Sequence, residues 1–378
     1  MKHHLRYLSM ALLATSIMLI AGCKGKSPNH SADMTGFTIE GTAEEFADGT
    51  KLLLTNGDGF PIDSFTVTGH HFSYKGQSAG VQQYVIYEVG NELNSVEFFT
   101  EEGTICIELN KKPGTSRISG TVANDAWQEL NDVTWPYYEK MQQIEDSISG
   151  NEELSDAAQW SMTERYYQLF SVINKKVIEA AEKNADNELG YFLVVGYKAD
   201  NEEVNDQMRN IIAKMPDAFR QRPPMQALEM KLKEMEATEV GKQMPDFTLP
   251  TSENNQLSVL DEVKKHRVTV LDFWASWCGP CRQTMPLMRQ LYACFKDNGL
   301  GIIGISLDED GEAWRAAIND MQLEWPQVSD LKGWQAAPAQ LFHVNAIPYV
   351  VLVDSSGTII QKNISGEKLW QVVEHQLQ

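Results

Sequence analysis

The spacing of apolar residues divides this chain into stretches of different kinds. Between residues 37 and 122 they fall in short runs with polar positions alternating, at 37–39, 51–55, 65–67, 71–74, 83–88, 96–100 and 105–109. Turn-forming stretches such as Asn56-Gly57-Asp58-Gly59 and Lys112-Pro113-Gly114 separate them. A period of two, interrupted by turns at regular spacing, predicts short strands packed as an antiparallel β-sandwich. From residue 124 to 236 the apolar positions recur at helical spacing instead, over 126–149, 156–183, 188–197, 202–214 and 225–236. Gly150-Asn151, residues 184–187, Pro216 and Pro223-Pro224 punctuate these helices. Trp127, Trp135, Tyr137, Tyr138, Trp160, Tyr166, Tyr167 and Phe170 ride on this pattern. They could line a peptide groove, but an amphipathic stripe needs no ligand, so a helical core is the expectation. Further on, residues 268–273 form a short, β-rich apolar run next to the charged cluster 264–267. That run predicts a buried strand, and a helical pattern follows it from residue 278.

The start of the chain carries a separate signal. Lys2 and Arg6 precede an apolar run from Leu8 to Ile20, which ends in Ile20-Ala21-Gly22-Cys23. The run is shorter than the roughly 20 residues a comfortable membrane span requires. A basic region, a short apolar region and a small-residue end read as a secretory signal over 1–22, in preference to an uncleaved anchor helix. Because it ends on cysteine, it resembles a bacterial lipobox. The resemblance implies that Cys23 is lipidated and becomes the first residue of a chain held in the cell envelope, facing the periplasm. With Lys24 after the cysteine, the same resemblance implies sorting to the outer membrane more than to the inner. Residues 23–34 are polar and form a tether. The expected organisation is thus a signal at 1–22, a tether at 23–34, a β-rich domain at 35–122, a helical segment at 123–238 and an α/β domain at 239–378.

The chain of 378 residues holds 32 basic and 52 acidic side chains, a formal charge of −20. The deficit is spread over every region, so no basic stripe exists for nucleic acid or an anionic membrane surface. Setting Cys23 aside leaves Cys106, Cys278, Cys281 and Cys294. One close pair in an exported chain of this length is not a disulfide-stapled scaffold. Cys106, in the alternating run 104–107, and Cys294, in the helical pattern after residue 278, are expected to be small buried apolar residues. The histidines show no metal-ligand spacing, and a single Cys-x-x-Cys supplies only two of the four ligands a structural zinc takes. No metal or other cofactor is expected.

Cys278 and Cys281 carry the chemistry. A strand that turns into a helix at Cys278 sets this thiol over unsatisfied backbone N–H groups, where the helix dipole favours thiolate. Cys281, one turn on, can reach back to it. Such a pair can attack a disulfide, hold the mixed intermediate and resolve it, with Cys278 as nucleophile and Cys281 as resolving thiol. Gly279 and Pro280 keep the turn compact, and proline is tolerated early in a helix because its missing N–H would be unpaired. Asp272, between apolar neighbours on the predicted strand, is the proton acceptor for Cys281, since burial raises a carboxyl toward neutrality. Trp274 and Trp277 are expected to flank the site, one beneath it and one at its rim.

The run Phe273-Trp274-Ala275-Ser276-Trp277-Cys278-Gly279-Pro280-Cys281 resembles the active site of the thioredoxin superfamily, and its aromatic frame resembles the TlpA/ResA-like branch. Other residues extend the likeness over roughly the last 140 positions. Val240-Gly241-Lys242-Gln243-Met244-Pro245-Asp246-Phe247 is similar to the family's leading strand. Asp272 stands where thioredoxins bury a carboxylate, and Pro286 where a proline kinks the active-site helix. Ala346-Ile347-Pro348 resembles the loop whose cis-proline faces the disulfide and offers the Ile347 backbone to a substrate strand. The resemblance implies a thioredoxin fold over 239–378, a central mixed sheet flanked by helices. It also implies thiol–disulfide exchange with protein clients and a membrane electron donor. The part before it resembles the uncharacterised β-rich domain that precedes a thioredoxin fold in many Gram-negative lipoproteins. One position departs from the family pattern: Thr284 stands where many relatives carry a glutamate, which leaves Asp272 to carry the acid–base task.

Two other functions compete. A peroxiredoxin-like thiol peroxidase would carry Thr or Ser three residues before a lone reactive cysteine, where this chain has Ala275. A non-enzymatic, partner-binding lipoprotein would use the fold as scaffold only, and intact Cys278, Cys281 and Asp272 argue against it.

Overall fold

In the computed structural model, which describes residues 34–150, 154–197 and 202–378, the period-two runs form β1 (Met34–Thr42), β2 (Lys51–Asn56), β3 (Pro61–Thr66), β4 (His71–Ala79), β5 (Gln83–Glu88), β6 (Asn91–Phe99), β7 (Gly103–Glu108) and β8 (Arg117–Ser119). The expected signal, tether and lipidation site at Cys23 lie outside the described residues. The strands build two four-stranded sheets, ordered β4-β1-β7-β8 and β3-β2-β5-β6. Phe37 from the first sheet meets the rings of Tyr84 and Phe98 from the second at 6.2 and 6.4 Å. Buried Ile39, Leu52, Leu54 and Ile86 fill the space around them. The sandwich is therefore present, with one correction: β1 pairs antiparallel with β4 but parallel with β7. The chain leaves the first sheet after β4, builds β5 and β6 in the second, and returns to the first alongside β1 in the same direction.

Alternation also corrects the expectation for Cys106. Ile105 and Ile107 point into the core, so Cys106 between them points outward, and its thiol is free and exposed. Cys294 is likewise free and exposed.

The helical stretch gives α1 (Val122–Gly150), α2 (Asp156–Lys183), α3 (Glu188–Val195), α4 (Glu202–Lys214), α5 (Asp217–Arg220) and α6 (Pro223–Glu236). Asn124 ties α1 to the sheet: its buried side-chain amide accepts the Phe99 N–H and donates to the Phe99 carbonyl, both at 2.8 Å. Pro223 and Pro224 open α6 instead of merely preceding it, because the first helical positions need no N–H donor. Met141, Leu169 and Ile173 are the buried centre of the α1–α2 pair, with Tyr137, Tyr138, Tyr166 and Phe170 packed against them. Trp160 and Tyr167 depart from the core expectation and are exposed, at 75% and 64%. Among the described residues no helix is long and apolar enough to cross a membrane.

The described chain divides into two compact units at Glu229/Met230. The second unit contains β9 (Thr248–Pro250), β10 (Gln256–Ser258), α7 (Val259–Val263), β11 (Val268–Trp274), α8 (Gly279–Phe295), β12 (Leu300–Ser306), α9 (Gly311–Met321), β13 (Gln327–Val328), α10 (Ala337–Leu341), β14 (Tyr349–Asp354), β15 (Ile359–Lys362) and α11 (Gly366–Leu377). Its main sheet runs β13-β12-β11-β14-β15. The pairs around β12 are parallel, and those of β14 with β11 and β15 are antiparallel. Every residue of β11 and β12 is buried, as befits central strands covered on both faces. Phe273 packs on Phe342 and Tyr349, and Phe295 at the end of α8 packs on Trp370 of α11.

Candidate active site

The loop from β11 to α8 is held from below before it reaches the cysteines. The Trp274 carbonyl accepts the Leu307 N–H at 2.8 Å, which extends the β11–β12 pairing past the strand ends. The Ser276 N–H donates to the buried Asp308 carboxylate at 2.9 Å, and the Ser276 hydroxyl makes a second, very short contact to it. Asp308 also accepts the Ser306 hydroxyl at 2.7 Å. A carboxylate with this many donors is fully engaged, so it anchors the loop and is not a spare acid.

Cys278 is the N-cap residue of α8, with extended backbone angles, and its Sγ accepts the Cys281 N–H at 3.1 Å. The sulfur thus does what a serine or aspartate oxygen does at most helix starts, and any charge on it is favoured by that N–H and the helix dipole. Cys278 and Cys281 are joined as a disulfide, with Cα atoms 5.3 Å apart. Cys281 is completely buried while Cys278 retains 5% exposure, so Cys278 is the more accessible of the two sulfurs. Pro280 sits in the first helical turn, as expected. Gly279 is the first residue of α8, and a Cβ there would meet nothing within 4 Å.

Across from the disulfide, the Ile347–Pro348 bond is cis, and the Ile347 carbonyl oxygen lies 3.7 Å from Cys278 Sγ. Thr284 turns its hydroxyl back to the Cys281 carbonyl at 2.9 Å within the helix. Asp272 is buried at the centre of the sheet, and that burial pushes its carboxyl up to about 7. Its Oδ2 has no hydrogen-bond partner in the protein. A proton can therefore be taken up or released there near neutral pH.

The two tryptophans differ in burial. Trp274 is fully buried and donates its Nε1–H to Gln327 Oε1 at 3.0 Å. Trp277 is 56% exposed, and its ring centroid stands 6.3 Å from that of Trp334. Trp277 and Trp334 line a cavity of about 420 Å³, together with Ser276, Asp308, Glu309 and Asp310. Sequence reasoning missed Asp308, Gln327 and Trp334. For Asp308 a signal existed, a carboxylate closing the apolar run 300–307; Gln327 and Trp334 carry none of their own.

Residues 240–362 match the AhpC/TSA family, and residues 37–127 match a domain of unknown function, DUF4369. The thiol-disulfide oxidoreductase ResA of Bacillus thuringiensis subsp. konkukian (strain 97-27) is 32% identical over 142 residues, which cover 38% of this chain and 79% of ResA. The thioredoxin-like protein YneN of Bacillus subtilis (strain 168) is 33% identical over 122 residues, covering 32% and 68% of the two chains. Among solved structures, a thiol-disulfide oxidoreductase from Bacteroides fragilis NCTC 9343 is 34% identical, covers 35% of this chain and 98% of its own, and has a TM-score of 0.34.

Proposed function

The chain belongs to the ResA/TlpA-like thiol–disulfide oxidoreductases of the AhpC/TSA family, and from that premise we propose that it reduces disulfides of protein clients at the periplasmic side of the cell envelope. The observation that carries this reading is Cys278 at the helix N-cap, bonded to Cys281 and edged by the Ile347 carbonyl. In the reduced enzyme the Cys278 thiolate attacks one sulfur of a client disulfide, and the other client sulfur leaves as a thiolate. Asp272 accepts the proton of Cys281. The Cys281 thiolate then attacks Cys278, the second client sulfur leaves, and the enzyme is left with the disulfide seen here. Two electrons must return from a dithiol donor, and for a reductant outside the cytoplasm the proposed donor is a membrane protein. Lipidation at Cys23 and placement in the outer more than the inner membrane belong to the same proposal and rest on residues 1–24 alone.

Buried Ala275, three residues before Cys278, offers no hydroxyl to a peroxide, and Cys278 is no lone cysteine, its resolving partner standing only three positions away. Both features favour disulfide exchange over peroxidase chemistry. The test is the reduction potential of the Cys278/Cys281 pair against glutathione or dithiothreitol. A value near the thioredoxin level of about −270 mV fits a reductant, whereas one near −120 mV would reverse the proposed direction.

A further inference from the structure

Three residues lie in one row across the second unit's sheet. Asp272 on β11 pairs with Gly304 on β12, and Gly304 pairs with Gln327 on β13. Side chains at paired positions of neighbouring strands project from the same face, so Asp272 and Gln327 share a face with only a glycine between them. The Gln327 amide occupies the space over that glycine. A Cβ on Gly304 would stand 2.1 Å from Oε1, 2.6 Å from Cδ and 2.7 Å from Nε2. One end of the amide is fixed by Trp274, two residues along β11 and on the same face as Asp272: its indole N–H donates to Oε1 at 3.0 Å. An indole N–H can only donate, so the oxygen must face Trp274 and the nitrogen must face elsewhere. That nitrogen, Nε2, is buried without a partner in the protein, and so is Asp272 Oδ2. Buried polar groups left unpaired are rare and costly, and here a donor and an acceptor stand unpaired on one face, one glycine apart.

We infer that the Nε2–H of Gln327 is the hydrogen-bond donor to ionised Asp272, directly or through one water, across the gap that Gly304 leaves. Gln327 is then a positioning residue. It touches neither sulfur, but holds Trp274 with its oxygen and supports the carboxylate of the proton acceptor with its nitrogen. The inference rests on the exchange mechanism above for its purpose, though not for its geometry. Donation to a carboxylate favours the charged form and opposes burial, the cause that raises this carboxyl. Without the donor, Asp272 would hold its proton to higher pH and accept the Cys281 proton only under more alkaline conditions. Gly304 has a matching role, since any side chain there would displace the amide.

The experiment follows the Asp272 carboxyl by infrared difference spectroscopy on the full chain with the disulfide intact, so that its reading requires no turnover. Gln327→Met conserves volume and removes the donor. The Asp272 midpoint is expected to rise by about one pH unit, and the pH profile of the resolving step to move with it. In the Asp272→Asn background the same substitution leaves that profile unchanged. Gln327→Leu also removes the donor and adds no charge, so it moves the midpoint in the same direction should the Met variant not fold. In the wild type, the Gln327 side-chain amide resonance is expected to titrate with the Asp272 midpoint. A midpoint that does not move in a folded variant, a profile shift that survives Asp272→Asn, or an amide resonance blind to Asp272 overturns the inference. A midpoint that moves in a protein lacking disulfide exchange would fault the exchange mechanism and leave the hydrogen bond standing.

Discussion

The Ser276 backbone N–H donates to the buried carboxylate of Asp308 at 2.9 Å, so a residue just past the end of β12 holds the loop that leaves β11. Cys278 begins its helix two residues later. The loop that carries Cys278, the proposed nucleophile, is thus held by a contact between neighbouring strand ends as well as by its own helix.

Asp308→Ala removes that acceptor from the Ser276 N–H and the Ser306 hydroxyl together. Leaving such donors unpaired costs about 1–3 kcal/mol, and denaturant unfolding is expected to show a loss in that range. Asp308→Asn keeps an acceptor and loses less. Stability of Asp308→Ala equal to wild type would mean that the loop is held elsewhere.

Asp272 gives a pH dependence whose sign can be worked out. Its carboxyl sits near 7 in the folded chain against a reference value of 3.8. Below pH 3.8 both states are protonated and burial carries no charge penalty. Between these values folding binds a proton, so stability falls as pH rises, and above 7 the full penalty remains. At roughly 1.4 kcal/mol per unit the penalty approaches about 4 kcal/mol. Asp272→Asn is never charged, so it is expected to be more stable than wild type at pH 8 and to lose that advantage toward pH 4. Chemical denaturation of the oxidised proteins at both pH values checks this. In kinetics the same variant slows the resolving step more than the first attack, and equal rates would remove Asp272 from the mechanism.

Trp277 and Trp334 line one cavity. In the exchange proposed above a protein client covers it, and a small thiol need not fill it. Trp277→Ala and Trp334→Ala are expected to lower kcat/KM several-fold on a protein disulfide such as insulin, while exchange with glutathione disulfide stays close to wild type. Parallel losses on both substrates would assign the rings to packing.

Cys106 and Cys294 are exposed and free, so a maleimide is expected to label both in the oxidised, folded protein without change in exchange activity. Protection of either before unfolding would contradict the fold described for its surroundings.

The strands, the long helices and the redox pair were legible in the sequence because each leaves a local pattern. Period two marks β2 and β5, helical spacing marks α2, and Cys278 to Cys281 is a single turn. Cys106 reads as buried from the apolar character of cysteine alone, whereas the alternation of Ile105 and Ile107 around it turns it outward. The parallel pairing of β1 with β7 joins residues 66 apart and leaves no local trace. Gln327 was invisible for a similar reason. A glutamine in a two-residue strand is unremarkable until register sets it across a glycine from Asp272.

The central claim is the division of labour between the two thiols, and the most direct measurement is mixed-disulfide capture with reduced single-cysteine variants. Cys281→Ser is expected to accumulate a covalent adduct with a protein disulfide client through Cys278, stable to denaturation and released by reductant. Cys278→Ser is expected to form none and to have no exchange activity. Ordinary turnover by Cys278→Ser, or an adduct held through Cys281, would contradict the account.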